Sequence, residues 1–293
     1  MGILQRVLLN VAGLLLAAFI LGPIVWVIDA SFQTEGDLSS RPLHIIPASI
    51  SLDNYNYVFT GAIPHTLQGN GVLTPNISQE ARELLPALRN SAIVAGAAAI
   101  IDLILGIPAA YAFARMRFRF RSSLFNVILG SRLLPAVAIA IPYYVIVNNL
   151  GLLNTYVGLI LVYLTFSLPF TIWFLAMYFR YVPPDLEDAA RTDGCTRLGA
   201  LVRVLVPVAA PGIAAAAAFA FMLSYSEFLF ALFLTQTIQS QTVPVIIASI
   251  AVNPNASLAL IAVSVSLAMI IPIAFALVFR RYLVRGVLSG ALQ

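Results

Sequence analysis

Apolar runs of roughly bilayer length recur along this chain, and no other feature restricts its fold as strongly. A helix needs about 20 consecutive apolar residues to cross a hydrocarbon core. Runs of that order lie near 7–28, 89–114, 124–147, 156–179, 211–235 and 258–279. Only 10% of the residues are charged, against about a quarter in a water-soluble domain. No ten-residue alternation marks the strands of a barrel. The expected fold class is an all-α membrane protein with six transmembrane helices and a charged loop between spans four and five. The expected divisions are a first transmembrane helix at 1–30, an extracytoplasmic loop at 31–88, a five-helix core at 89–285 with its charged loop at 180–210, and a tail at 286–293. The 7–28 run has the character of a signal peptide. It lacks a small-residue cleavage site and continues through Trp26-Val27-Ile28, so it is expected to stay as span one.

Several chemistries are excluded at once. All 16 basic residues are Arg, and these 293 residues contain no Lys. A phosphate-binding loop of the G-x-x-x-x-G-K-[ST] kind and a Schiff-base lysine are both ruled out. No nucleophile–base pair or metal-ligand cluster stands out, so no catalytic, cofactor-binding or metal residues are expected. His44 and His65 are expected to be ordinary loop residues, and Cys195 a small residue at a helix break. The Asn-x-Ser triplets at Asn76 and Asn255 are taken as chance. A short interfacial helix is expected at 79–88 and an exposed loop at 236–257. The low-volume run Ala214–Ala218 is expected to permit close helix contact.

The arginines orient the chain. Six spans put both termini on one side. Twelve of the 16 arginines fall there: Arg6, Arg115, Arg117, Arg119, Arg121, Arg180, Arg191, Arg197, Arg203, Arg280, Arg281 and Arg285. Only Arg41, Arg82 and Arg89 fall opposite. The positive-inside rule makes the majority side cytoplasmic. The alternation of Arg115 to Arg121 with Met116, Phe118 and Phe120 is a basic membrane edge, not a nucleic-acid surface.

The segment from Pro183 to Gly212 is the longest charged stretch between apolar runs. Pro183 and Pro184 suit a helix start. Asp185, Glu187 and Asp188 crowd the positive end of the helix dipole. Glu187 and Arg191 stand four apart in the order that favours pairing. Gly194 is placed to stop this helix in a left-handed conformation, and Thr196 to cap a second one. That second helix carries Leu198, Leu201, Val202 and Leu205 on one side. Pro207 and Pro211 bend it into span five.

Here the sequence resembles the "EAA" loop of binding-protein-dependent ABC importer permeases. The family pattern is E-A-A, three residues, G, nine residues, I-x-L-P. It falls on Asp188, Ala189, Ala190, Gly194, Val204, Val206 and Pro207 with every spacing kept. Asp193, Arg197, Leu198 and Arg203 also resemble the carbohydrate-uptake, maltose-type second permease. Asp188 stands where the family has Glu, one methylene shorter, and Glu187 beside it is a second candidate for that contact. The C-terminal residues from Tyr282 onward resemble the family's glycine-bearing tail, which reaches into the ATPase.

The resemblance implies a permease subunit of a sugar importer in the bacterial inner membrane. Its coupling residues would be Glu187, Asp188, Ala189, Ala190, Asp193, Gly194, Arg197, Leu198, Arg203 and Pro207. It implies a second permease subunit, a cytoplasmic ABC ATPase dimer that carries ATP and Mg, an extracytoplasmic solute-binding protein and membrane lipid as partners, with no nucleic acid and no cofactor on this chain. The alternative is a stand-alone secondary transporter or channel driven by an ion gradient, for which Asp102, Arg132 and Glu227 would be the coupling groups. Ionisable groups within spans face a cavity or a partner. Asp102 and Arg132 fall at similar depth and are expected to pair, and Asp102, Arg132, Tyr225 and Glu227 are expected to lie along the substrate path.

Overall fold

The computed structural model describes residues 2–41, 50–62, 81–253 and 257–291. The expectations placed on His44, His65, Asn76 and Asn255 lie outside the described residues. All regular structure among the described residues is helical. In chain order come α1 (Ile3–Ser31), α2 (Glu35–Leu38), α3 (Asp53–Thr60), α4 (Leu84–Arg115), α5 (Arg121–Gly130), α6 (Ala136–Asn149), α7 (Tyr156–Tyr181), α8 (Asp185–Thr192), α9 (Arg197–Val208), α10 (Ala210–Tyr225), α11 (Leu229–Leu234), α12 (Val243–Val252) and α13 (Leu258–Ala291).

Four helices are individually long and apolar enough to cross a membrane: α1, α4, α7 and the Leu258–Arg281 part of α13. Two more crossings result only if each of two bent pairs counts as one span. The first pair is Arg121–Leu133 with α6, bent by 96°, and the second is α9 with α10, bent by 81°. Pro135 breaks the first pair, since it has no amide hydrogen to continue α5. The expected third span is therefore two angled pieces. The expected fifth span, 211–235, stops at Tyr225 and resumes as the short α11.

The segment expected to be an exposed loop at 236–257 instead holds α12, with Val243, Val245, Ile246 and Ile250 buried. Its apolar run is shorter than a span but long enough for a buried helix. Leu84 begins the long α4, so no separate interfacial helix ends at Leu88. Residues 79 and 80 lie outside the described residues.

The chain divides into two compact units. One comprises residues 1–85 and 246–270. There α1 ends in a polar knot. The Gln33 side chain donates to Asp29 (2.6 Å), and the Asn54 side chain donates to the Gln33 carbonyl (3.1 Å). Thr34 and Asp37 form a capping box at α2. Glu35 accepts from the Ser257 hydroxyl (2.6 Å) and the Ala259 amide (3.3 Å), which satisfies the start of α13.

The other unit comprises residues 86–245 and 271–293. Its centre is α7, packed against α4 and α10. The core under the charged segment joins Ala110, Tyr111 and Phe113 of α4 to Ile172, Leu175, Ala176 and Phe179 of α7 and to Ala216 of α10. Lipid tails are as apolar as these side chains, so close van der Waals packing holds helices together in a bilayer. Small residues let the backbones approach, as the alanine run of α10 leads one to expect: Ala215, Ala216 and Ala218 are buried. A Cβ added at Gly212 would sit 2.5 Å from the Tyr178 ring of α7. The opposite end is stitched by polar groups. Asn90 donates to the Ile238 (3.0 Å) and Gln241 (2.9 Å) carbonyls and accepts from Tyr156 (2.6 Å). Ser91 accepts from the Val243 amide (2.9 Å).

Gly212→Val is expected to force α10 away from α7 and destabilise the protein by about 1–3 kcal/mol. Gly13→Val, where nothing lies within 4 Å, is expected to have little effect. Thermal unfolding in detergent compares the two.

Candidate functional site

The charged segment is built from local rules at each joint. Pro184 flanks the start of α8, and its carbonyl accepts from the amides of Glu187 (2.9 Å) and Asp188 (3.1 Å). Asp185, Glu187 and Asp188 occupy the first turn and Arg191 the last, each sign suited to its end of the helix dipole. The helix ends in a Schellman motif. The Gly194 amide donates to the Arg191 carbonyl (3.1 Å) and the Cys195 amide to the Ala190 carbonyl (3.0 Å). Gly194 has φ +88°. A side chain there costs roughly 1–2 kcal/mol in the left-handed region. Thr196 then caps α9 by accepting from the Gly199 amide (3.1 Å). Both caps fall where the residue types place them.

Beyond Ala200 the expected face divides in two. Residues Leu201–Leu205 form a π turn. Its i→i+5 bonding keeps residues four apart in line but moves those three apart to different faces. Leu201 and Leu205, 3% and 2% exposed, enter the core beneath α4 and α7. Leu198 and Val202, 68% and 63% exposed, face outward. Asp188, Ala189, Arg191, Asp193, Arg197, Arg203 and Pro207 are also exposed, whereas Ala190 is buried. The outward surface thus combines two aliphatic side chains with charges of both signs.

The segment is clamped to the end of α4. Glu187 does not pair with Arg191 along α8. It turns inward, accepts from the Tyr111 hydroxyl, and stands 3.6 Å from Nε of Arg115. Arg115 also donates to the carbonyl of Val182, the residue before Pro183. Tyr111 and Arg115 are four apart, so they present one face of α4. The Glu187 and Arg115 side chains are only 13% and 14% exposed, which shields their attraction from water and salt. This is the one ion pair among the described residues. Sequence reasoning missed both partners. Tyr111 sits inside an apolar run, and Arg115 is one of four similar arginines.

The four residues marked within the spans are not brought together. Asp102 on α4 is fully buried, and neither carboxylate oxygen has a hydrogen-bond partner among the described residues. The Ser167 hydroxyl lies near it but donates to the Tyr163 carbonyl (2.9 Å). Arg132 does not pair with Asp102. It is exposed in the break between α5 and α6, with its guanidinium 5.2 Å from the Phe170 ring centre. Tyr225 is buried and stacks on Phe221. Glu227 lies in the gap between α10 and α11. It accepts from the amides of Phe230 (2.8 Å) and Ala231 (3.1 Å), two donors left free by the start of α11.

Comparison with known proteins adds three findings. The sequence profile of the family described as "Binding-protein-dependent transport system inner membrane component" matches residues 102–289. The chain is 33% identical over 194 residues to the sulfoquinovosyl glycerol transport system permease protein SmoH of Agrobacterium fabrum, covering 66% of this chain and 61% of that protein. It is 33% identical over 202 residues to the trehalose transport system permease protein SugB of Mycobacterium tuberculosis, covering 69% and 66%. It is 29% identical over 212 residues to the trehalose/maltose transport system permease protein MalG of Thermococcus litoralis, covering 72% and 69%. The matches to SmoH and SugB thus span less than two thirds of those relatives' own length. Among solved structures, a chain of a bacterial ABC transporter involved in import of the acidic polysaccharide alginate superposes with a TM-score of 0.72. That match covers 96% of this chain and 98% of the other at 21% identity, and it establishes the shared fold.

Tyr111→Phe and Glu187→Ala are each expected to cost about 1–3 kcal/mol, the scale of a hydrogen bond to a charged group. In a double-mutant cycle by denaturant unfolding in detergent, the double variant is expected to lose less than the sum. Gly194→Val is expected to loosen the α8–α9 joint by roughly 1–2 kcal/mol. Faster trypsin cleavage after Arg191 and Arg197 would register it.

Proposed function

The chain belongs to the binding-protein-dependent transport system inner membrane component family, and from that premise we propose that it is the transmembrane permease subunit of an ATP-driven ABC importer for a sugar or related polar solute. The observation that carries this reading is the clamped segment α8–α9, capped at both joints and tied to α4 through Glu187, Tyr111 and Arg115. Such a piece is suited to transmit displacement into the membrane helices. Hydrolysis falls to a separate ATPase dimer with its own ATP and Mg, because these residues include no Lys for a phosphate-binding loop. A solute-binding protein delivers cargo at the outer face, and a second permease subunit completes the path. On a six-span reading in which α10 carries the fifth crossing and α9 is its arm outside the bilayer, both termini and the α8–α9 segment share one side, which the arginine bias makes cytoplasmic. The location is the bacterial cytoplasmic membrane.

Within this reading the two acids of α8 divide the work. Glu187 is committed to α4, so Asp188, exposed beside it, is the acid free to meet the ATPase. Leu198 and Val202 supply the apolar contact, and Asp193, Arg197 and Arg203 the polar rim. Gly194 and Pro207 shape the backbone, while Ala189 and Ala190 keep α8 slim on both sides. The sugar class follows from the relatives' named substrates, including trehalose and maltose. The gradient-driven alternative is not favoured, since the named relatives are transport-system permeases and Glu227 is engaged in capping α11.

Purification of the tagged chain from its native membrane is expected to bring down an ABC ATPase that Leu198→Glu and Asp188→Arg each reduce about tenfold or more. An equal yield of ATPase with both variants would contradict docking at this segment.

A further inference from the structure

We propose that Arg132, set against the ring of Phe170, is a solute-binding subsite in the translocation path. It would take a ring that presents two neighbouring oxygen atoms and an apolar face, as a pyranose sugar does. The proposal rests on the importer reading and names a contact for its cargo.

Depth supplies the first argument. At 1.5 Å per residue, Arg132 lies about 16 Å along from Arg121, which with α5 along the membrane normal and Arg121 at the edge is about half of a core about 30 Å thick. A charge at that depth faces a water-filled cavity or a polar partner. The Asp102 carboxylate that would neutralise it is fully buried on α4 instead.

The backbone supplies the second. A 3-10 turn at Ser131–Leu133 is followed by extended Leu134 and by Pro135, and the helices on either side meet at 96°. Leu133 and Leu134 are exposed. Irregular backbone at membrane depth is tolerated only within protein or along an aqueous cavity. Secondary transporters likewise build solute sites at discontinuous helices near the midplane.

Side-chain chemistry supplies the third. The guanidinium contacts the Phe170 ring through cation–π attraction. Among the described residues it has no carboxylate partner, so its planar fork of donors remains open for paired oxygens. Phe170 is held in place by Phe219, edge-on at 5.7 Å, and lies 5.8 Å from Trp173. Trp173, one helical turn on from Phe170, is 37% exposed and adds apolar surface next to that ring. Vicinal hydroxyls and a carboxylate present the same oxygen pair, so the chemistry covers neutral sugars and sugar acids.

Two measurements on the reconstituted importer test this. In a Cys195→Ser background, Arg132→Cys in lipid nanodiscs is expected to react with a charged, water-soluble methanethiosulfonate. An unreactive thiol would overturn the proposal. With the binding protein saturated by the solute that mass spectrometry identifies on it, Arg132→Gln is expected to lower uptake about tenfold or more. That is the scale of losing hydrogen bonds made by a charged donor. ATP hydrolysis stimulated by the binding protein is expected to stay within about twofold, and Trp173→Leu to lower uptake in the same sense. Unchanged uptake, or uptake and hydrolysis lost together, would assign Arg132 to the scaffold or a subunit contact. A complex that contains no ATPase would instead defeat the importer reading itself.

Discussion

The carboxylate of Glu187 fastens an exposed, charged segment to α4, and the proposed coupling role depends on that bond. An isolated helix as short as α8 is marginal in water. Its start at two prolines offers no continuous hydrogen-bonded link back to α7. Glu187 supplies the link by reaching Tyr111 and Arg115 on α4, and Arg115 closes the circuit at the Val182 carbonyl. Leu201 and Leu205 add a second attachment from the far end of the segment. The piece is held at both ends, with Gly194 and Thr196 setting its internal angle.

Beneath this segment lies a core made of close approaches. Gly212 brings α10 onto Tyr178, and a Cβ at Gly106 on α4 would stand 2.9 Å from Thr171 on α7. Contacts of this kind leave little room for sliding, which is what the proposed coupling role requires of α4 and α7. At the other end Asn90, Ser91 and Tyr156 tie α4 and α7 to the 238–243 connection through backbone groups that would otherwise lack partners. Glu227 does the same for the first amides of α11. The polar side chains of Asn90, Ser91, Tyr156 and Glu227 are therefore architectural. Asp102 stands apart, with no partner among the described residues.

Local rules made much of this legible. The caps at Gly194 and Thr196 depend on a few neighbouring residues, and they lie where the residue types place them. The apolar runs of α1, α4, α7 and α13 announced themselves by length. The bends were harder, because a proline inside an apolar run does not say how sharply the chain turns. Pro169 lies inside an unbroken α7, whereas Pro135 separates helices 96° apart. The π turn redistributed Leu198, Leu201, Val202 and Leu205 in a way a 3.6-residue period does not anticipate. Least legible were the partners of Glu187. Arg191 satisfied every local criterion for pairing, yet Tyr111, 76 residues earlier, holds the carboxylate. Tertiary proximity overrode a favourable helix spacing, and no pattern within α8 signals it.

A cysteine at Val202, on the outward face of α9, offers the most direct test that this segment seats a partner ATPase. In the Cys195→Ser background, a short bifunctional thiol reagent applied to native membranes is expected to link Val202→Cys to the ATPase subunit. The yield should change between nucleotide-free and ATP-bound states. No crosslink in either state, with Val202→Cys still open to a small thiol reagent added from the cytoplasmic side, would contradict a coupling role for α8 and α9.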